Sequence, residues 1–178
     1  VKYTANVADT LKAIQFHFPH INVETSNQLF NIRVWIGELD EEAEYELILQ
    51  KPLYIDSYAD SLNGFTTYVL TDILTGENTP LFIPAGDFYI GWQQISVCAL
   101  NQCIAVGLDK NNEDGMQHVF FDAFGFGGNW RAVSEANPNI TGALMIRPVV
   151  GEGTPRQSSK TQEFIKPAQV NIFPNPTN

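Results

Sequence analysis

The residues best suited to hold a ligand are aromatic rings set against the apolar face of their own strands. In FNIRVWI (30–36), Phe30, Ile32, Val34 and Ile36 share one face, which leaves Trp35 on the other beside Arg33 and Asn31. In DFYIGWQQ (87–94), Phe88, Ile90 and Trp92 share a face and Tyr89, Gly91 and Gln93 oppose them. Trp130 and Tyr68 are candidates to join this second set. A flat aromatic face flanked by Arg33, Asn31 or Gln93 is how a β-sandwich would hold a sugar ring, stacking giving affinity and polar groups giving orientation. The competing reading is that loops bury both faces of these strands and no ligand is involved. Trp35, Arg33, Tyr89 and Trp130 are therefore the ligand-binding candidates, and Trp92 is read as core.

A second constellation is the acidic loop DKNNEDG (109–115), which offers oxygens at alternate positions, as a hard cation requires. Asp109, Asn111, Glu113 and Asp114 are its candidate ligands for a structural calcium. The loop departs from the D-x-N-x-D-G pattern, because Glu113 stands where Asp or Asn is expected and Gly115 comes one place late. A solvated acidic turn is the alternative, and no other cofactor is expected. For catalysis the residues are scattered: His17, His20 and His118 lie far apart in the chain, and neither a G-x-S-x-G elbow nor an H-E-x-x-H pair occurs. Gly125-Phe126-Gly127-Gly128 lacks the following helix that a phosphate loop needs. The chain is read as not an enzyme, with a glycan hydrolase built from separated carboxylates as the remaining catalytic alternative.

The elements that would position these residues are strands. Ile83 to Asp109 reads as two long apolar strands folded back on each other, with Cys98 and Cys103 facing across the bend. Residues 1–12 show no clear period and read as a lead-in. AIQFHF (13–18) alternates, with Ile14, Phe16 and Phe18 on one face and Gln15 and His17 on the other. GELDEEAEYELILQ (37–50) reads as an acidic turn and then a strand on which Tyr45, Leu47 and Leu49 alternate. PLYI (52–55) is a short edge piece, 56–64 a loop, FTTYVL (65–70) a strand and TDILTGENTP (71–80) a loop. QHVFFDAFGF (117–126) is a strand with aromatics on both faces, SEANPNITG (134–142) a loop, and ALMIRPVV (143–150) the closing strand.

About nine or ten short strands with frequent turn signals, and no convincing helix, predict an all-β, two-sheet antiparallel sandwich. A jelly roll is the expected wiring and an Ig-like sandwich the alternative, disfavoured because the two cysteines fall within one hairpin. The domain spans 1–150, followed by a small, polar, Pro-containing linker over 151–169.

Composition narrows the partners. Asp and Glu outnumber Lys and Arg by 20 to 10, and a net charge of −10 repels both nucleic acid and anionic membrane surfaces. No run approaches the roughly 18 apolar residues of a membrane span. The chain begins at Val1 without a leader pattern, which reads as a fragment of a longer precursor.

The last nine residues, VNIFPNPTN (170–178), consist of a short apolar strand followed by Pro174-Asn175-Pro176. This segment resembles the start of the C-terminal sorting domain carried by cargo of the type IX secretion system. The resemblance implies a secreted or surface-attached protein of a Gram-negative bacterium, with the secretion machinery as a partner of the tail. In such an oxidising compartment Cys98 and Cys103, which enclose four residues, are expected to form a disulfide. Closing so small a loop contributes only about 2 kcal/mol, so it would pin a turn rather than hold the fold. Two free, partly buried thiols are the alternative. The expected function is a noncatalytic extracellular module acting in adhesion or carbohydrate binding, its partner a polysaccharide or surface glycan. A structural or protein-interaction module of a larger surface protein is the other class.

Overall fold

The structure is a computed structural model and describes residues 1–19, 25–39, 42–52, 64–72, 74–95, 103–122 and 129–151. Alternation sets the inward faces. Phe30, Ile32 and Val34 of β3 (Phe30–Ile36) are fully buried, as are Ile14 and Phe16 of β2 (Asp9–Phe16). β3 pairs antiparallel with β4 (Tyr45–Gln50) on one edge and with β7 (Gly86–Gln94) on the other, and β7 in turn pairs with β1 (Lys2–Ala5). This is sheet one, in the order β1-β7-β3-β4.

Sheet two is built on β2. One of its edges takes β12 (Ile146–Val150); the other takes β5 (Thr66–Val69) along residues 13–16 and β6 (Leu81–Ile83) along residues 9–11. The two sheets bury one common core. Phe16 packs edge-on against Phe30, Tyr68 and Trp92 and stacks on Phe18, with ring centroids 5.8–6.3 Å apart. Ile90, Leu11 and Ile83 complete the interior. The all-β antiparallel sandwich expected from the alternation is the fold observed.

Several expectations about individual segments are corrected. Residues 1–12 are not a lead-in: they supply β1 and the start of β2, and the Tyr3 hydroxyl donates to the Ile146 carbonyl at 2.7 Å, linking the two sheets. The hairpin expected over 83–109 does not form among the described residues. Both edges of β7 are already occupied, by β1 and β3, so no returning strand has an edge to join. The returning segment touches β7 through the Ile104 amide, which donates to the Gln94 side chain at 2.9 Å, and among its described residues, 103–109, only Leu108–Asp109 (β8) is a strand. β8 pairs with β11 (Ala143–Leu144) instead. Leu49 does not alternate with Leu47. A register shift in the β3–β4 ladder puts Leu49 at φ 56°, and its side chain turns outward while Leu47 stays buried. The Asn31 side chain accepts the Leu49 N–H at 3.0 Å, restoring the bond that the shift displaces.

Two short helical pieces replace predicted loop and strand: a 3₁₀ turn over Glu113–His118 and one turn of helix, α1 (Val133–Ala136). Of 117–126, only Phe120–Phe121 (β9) is strand among the described residues, paired with β10 (Arg131–Ala132). The pieces predicted at 53–55 and in the loop 56–63, together with the linker and the tail, lie outside the described residues.

β1 is held to β7 by a surface pair, Lys2 Nζ to Asp87 at 2.6 Å, and the Thr4 hydroxyl donates to the same carboxylate at 2.7 Å. The Lys2 hydrogen bond, then the Thr4 one, holds the Asp87 carboxyl below the ordinary value of 3.8, and the same bond raises Lys2 above 10.5. A depressed carboxylate contributes stability above its unfolded value and loses it as pH falls through the folded one. Asp87→Asn should therefore lower the melting temperature slightly at neutral pH, and the difference should vanish in acid below the range of ordinary aspartates. Thermal melts from pH 7 to 2 check this, and a difference that persists unchanged in acid would refute it.

Candidate functional site: an aromatic cavity on sheet one

The outer face of sheet one carries the residues that alternate with the core. From β3 these are Asn31, Arg33 and Trp35, and from β7 Tyr89, Gly91 and Gln93. The register sets Trp35 opposite Tyr89, Arg33 opposite Gly91 and Asn31 opposite Gln93. Gly91 is needed here, because a Cβ at that position would stand 3.0 Å from Cζ3 of Trp35. Without a side chain, the strand lets the indole approach its backbone.

A cap formed from the segment between β8 and β11 covers this face. It contains the 3₁₀ turn, β9, β10 and α1, tied together by the Val133 amide donating to the Val119 carbonyl at 2.9 Å. Gly115 brings the 3₁₀ turn onto β11 so closely that a Cβ there would lie 2.5 Å from Cα of Ala143. Met116 and Val119 are consequently buried, although they follow a fully polar stretch.

Between sheet and cap lies a cavity of about 380 Å³. All four predicted ligand-binding residues, Trp35, Arg33, Tyr89 and Trp130, line it. Trp35 and Trp130 meet edge-to-face at 5.3 Å, and Tyr89 meets Phe120 of the cap edge-to-face at 5.8 Å. The two sheet aromatics thus each have a cap aromatic as a neighbour, and the expected flat, open platform is replaced by a recess. Trp35 is only 3% exposed. Tyr68, the other ring considered for the platform, is on the opposite side of the fold, buried in the core with its hydroxyl donating to the Lys51 carbonyl at 2.6 Å. Trp92, read as core, packs edge-on against Phe16 but is only partly buried and also lines the cavity.

One flank of the site is polar. Arg33 Nε donates to Glu46 Oε1 at 2.8 Å, and the Asn31 amide donates to the same oxygen at 2.9 Å. Of these three residues Arg33 lines the cavity, where Gln93 and Asp122 join it. The remaining described wall is largely apolar, with Met116, Val119 and Phe121 from the cap. Reading the sequence missed these cap residues. The available signal was Gly91, a side-chain-free position among aromatics, which marks a ring lying against the strand.

The acidic loop is placed differently. Asp109 Oδ1 accepts the Asn111 amide at 2.9 Å in a local turn, while Glu113 and Asp114 begin the 3₁₀ turn, where Asp114 accepts from Gln117 at 3.2 Å. Among the described residues no three His, Cys, Asp or Glu side chains are grouped to hold a metal, and Asp109, Glu113 and Asp114 form no such group. Cys103 carries no free thiol, while Cys98 lies outside the described residues. His118 is exposed on the 3₁₀ turn, His17 packs edge-on to Phe65, and His20 lies outside the described residues. No helix among the described residues is long and apolar enough to cross a membrane.

Compared with protein-family models, curated proteins and solved structures, the chain matches none of them.

Proposed function

We propose that this chain is a noncatalytic binding module of a secreted or surface-attached protein, and that it works in adhesion by holding a carbohydrate in the cavity between sheet one and the cap. The observation that carries the reading is the convergence of Trp35, Tyr89, Trp130 and Arg33 on one recess with an apolar wall and a polar flank. Sugars offer the matching surface, with C–H faces for aromatic contact and hydroxyls for polar groups such as Arg33, Gln93 and Asp122. A volume of about 380 Å³ lies within the roughly 300–1,000 Å³ of small-ligand pockets.

A glycan array probed with the native chain and with Trp130→Ala tests the reading. Trp130 is half-buried, so its truncation leaves the core untouched. Binding to at least one glycan class, weakened about tenfold or more in the variant, is the expected result. Failure to bind any glycan removes the carbohydrate reading and leaves a protein-interaction module.

The address rests on the tail, with the type IX machinery as its reader. The Cys98–Cys103 disulfide belongs to the same reading, since an oxidising compartment preserves such a bond. Alkylation of the unfolded chain without reductant should label neither cysteine; labelling of both would refute the pairing.

A further inference from the structure

We infer that the cavity is the seat of an aryl group, and that the sugar it serves is one that bears such a group, an aryl glycoside or an aryl-esterified glycan in class. This rests on the carbohydrate reading and goes beyond it by naming the group enclosed.

The lining decides what can be enclosed. Tyr89 of β7 and Trp130 and Phe120 of the cap are half-buried rings that line the cavity, and Phe121 and Ile140, which also line it, are 36% and 40% exposed. Apolar surface therefore reaches from the cavity to solvent. Among the described lining, Arg33, Gln93 and Asp122 carry the amide and charged groups, and Arg33 already donates to Glu46 at 2.8 Å. Enclosing a whole hexose would strip water from more hydroxyls than these side chains can pair, with a penalty for each one left unmet. The sugar ring is held beside the polar residues, and the enclosed part is apolar.

Size and shape narrow that part. An apolar cavity of about 150 Å³ takes a benzene molecule, so about 380 Å³ has room for one aromatic ring with its substituents. An alkyl chain of that volume fits as well, but it gives up rotatable bonds on entry, which a flat ring does not have to lose. The walls also favour a ring. Trp130 meets Trp35 edge-to-face at 5.3 Å and Phe120 meets Tyr89 likewise at 5.8 Å, so a further ring between sheet and cap continues the same packing. With Arg33 engaged by Glu46 and the Asp122 carboxylate in the lining, a neutral ring is favoured over a carboxylated one.

Isothermal titration of the full chain with phenyl, hexyl and methyl β-glucosides, and with the same three β-galactosides, tests this. In at least one series the phenyl member should bind about tenfold or more tighter than the methyl member and about threefold or more tighter than the hexyl member. Phe121→Leu and Trp130→Leu each remove one ring while keeping apolar bulk, and both side chains lie outside the core cluster, so the fold should survive. Each should cut the preference for phenyl over methyl about threefold or more. Equal binding of the phenyl and methyl members in both series overturns the inference and leaves a carbohydrate module standing. So does a hexyl member that matches the phenyl one, or a preference unchanged in both variants. No binding to either series, with other sugars bound on the array, also overturns the inference alone. Binding of benzyl alcohol that weakens in Phe121→Leu, with no glycan or glycoside bound, supports the aryl seat and overturns the carbohydrate reading. No binding to any of these probes overturns both.

Discussion

Phe16→Ala is expected to destabilise the fold by about 3–5 kcal/mol, a large fraction of the roughly 5–15 kcal/mol that holds a domain together. Phe16 is fully buried on the central strand of sheet two, and its ring touches Phe18 and Tyr68 as well as Phe30 and Trp92, which belong to sheet one. Truncation removes the apolar transfer term and leaves a cavity that four stiff rings cannot close. Chemical denaturation checks it as a lower midpoint at unchanged slope. Leu74→Ala is the control, since Leu74 is 91% exposed and should change stability by about 0.5 kcal/mol or less. A Phe16→Ala cost as small as the control's would mean that the sheets do not share the core described here.

Gly115→Ala should damage both stability and binding. The added Cβ would lie 2.5 Å from Cα of Ala143 and 2.6 Å from the Gly142 carbonyl oxygen. Both obstacles are backbone atoms, so no rotamer change relieves them and the 3₁₀ turn must lift off β11. Overpacking of this kind costs about 1–3 kcal/mol. The functional loss should be larger, because Met116 and Val119 ride on that turn and its margin and form the wall facing Trp35. A second change, Ala143→Gly, removes the Ala143 Cβ, which the added methyl would also strike, but neither backbone obstacle, so it should restore only part of the stability. Full ligand affinity in Gly115→Ala, measured by titration, would show that the cap does not shape the site.

How much of this could be read from the residues depends on the kind of information each position holds. Strand faces were legible wherever a period of two ran unbroken: Ile14, Phe16 and Phe18 are all buried, and so are Phe30, Ile32 and Val34. That same alternation placed Arg33, Trp35 and Tyr89 on a common outer surface, and the register of β3 against β7 confirms their adjacency. Pairing partners were not legible, since an apolar strand does not specify which neighbour it will join. The neighbours of β7 come from residues 1–5 and 30–36, which left no place for the hairpin that its sequence neighbour suggested. The cap was hidden for another reason. Met116 and Val119 are buried by a tertiary contact that Gly115 permits, and no periodicity in a polar loop announces such a contact.

The irregular turn at Leu49 has a consequence for how the molecule keeps to itself. β4 is the outer strand of its sheet, and a straight, regular rim would offer a row of amides on which another copy could grow. Leu49 bends that rim by adopting a backbone geometry that chains of L-residues cannot propagate, and so interrupts the template for fibrous stacking partway along its length.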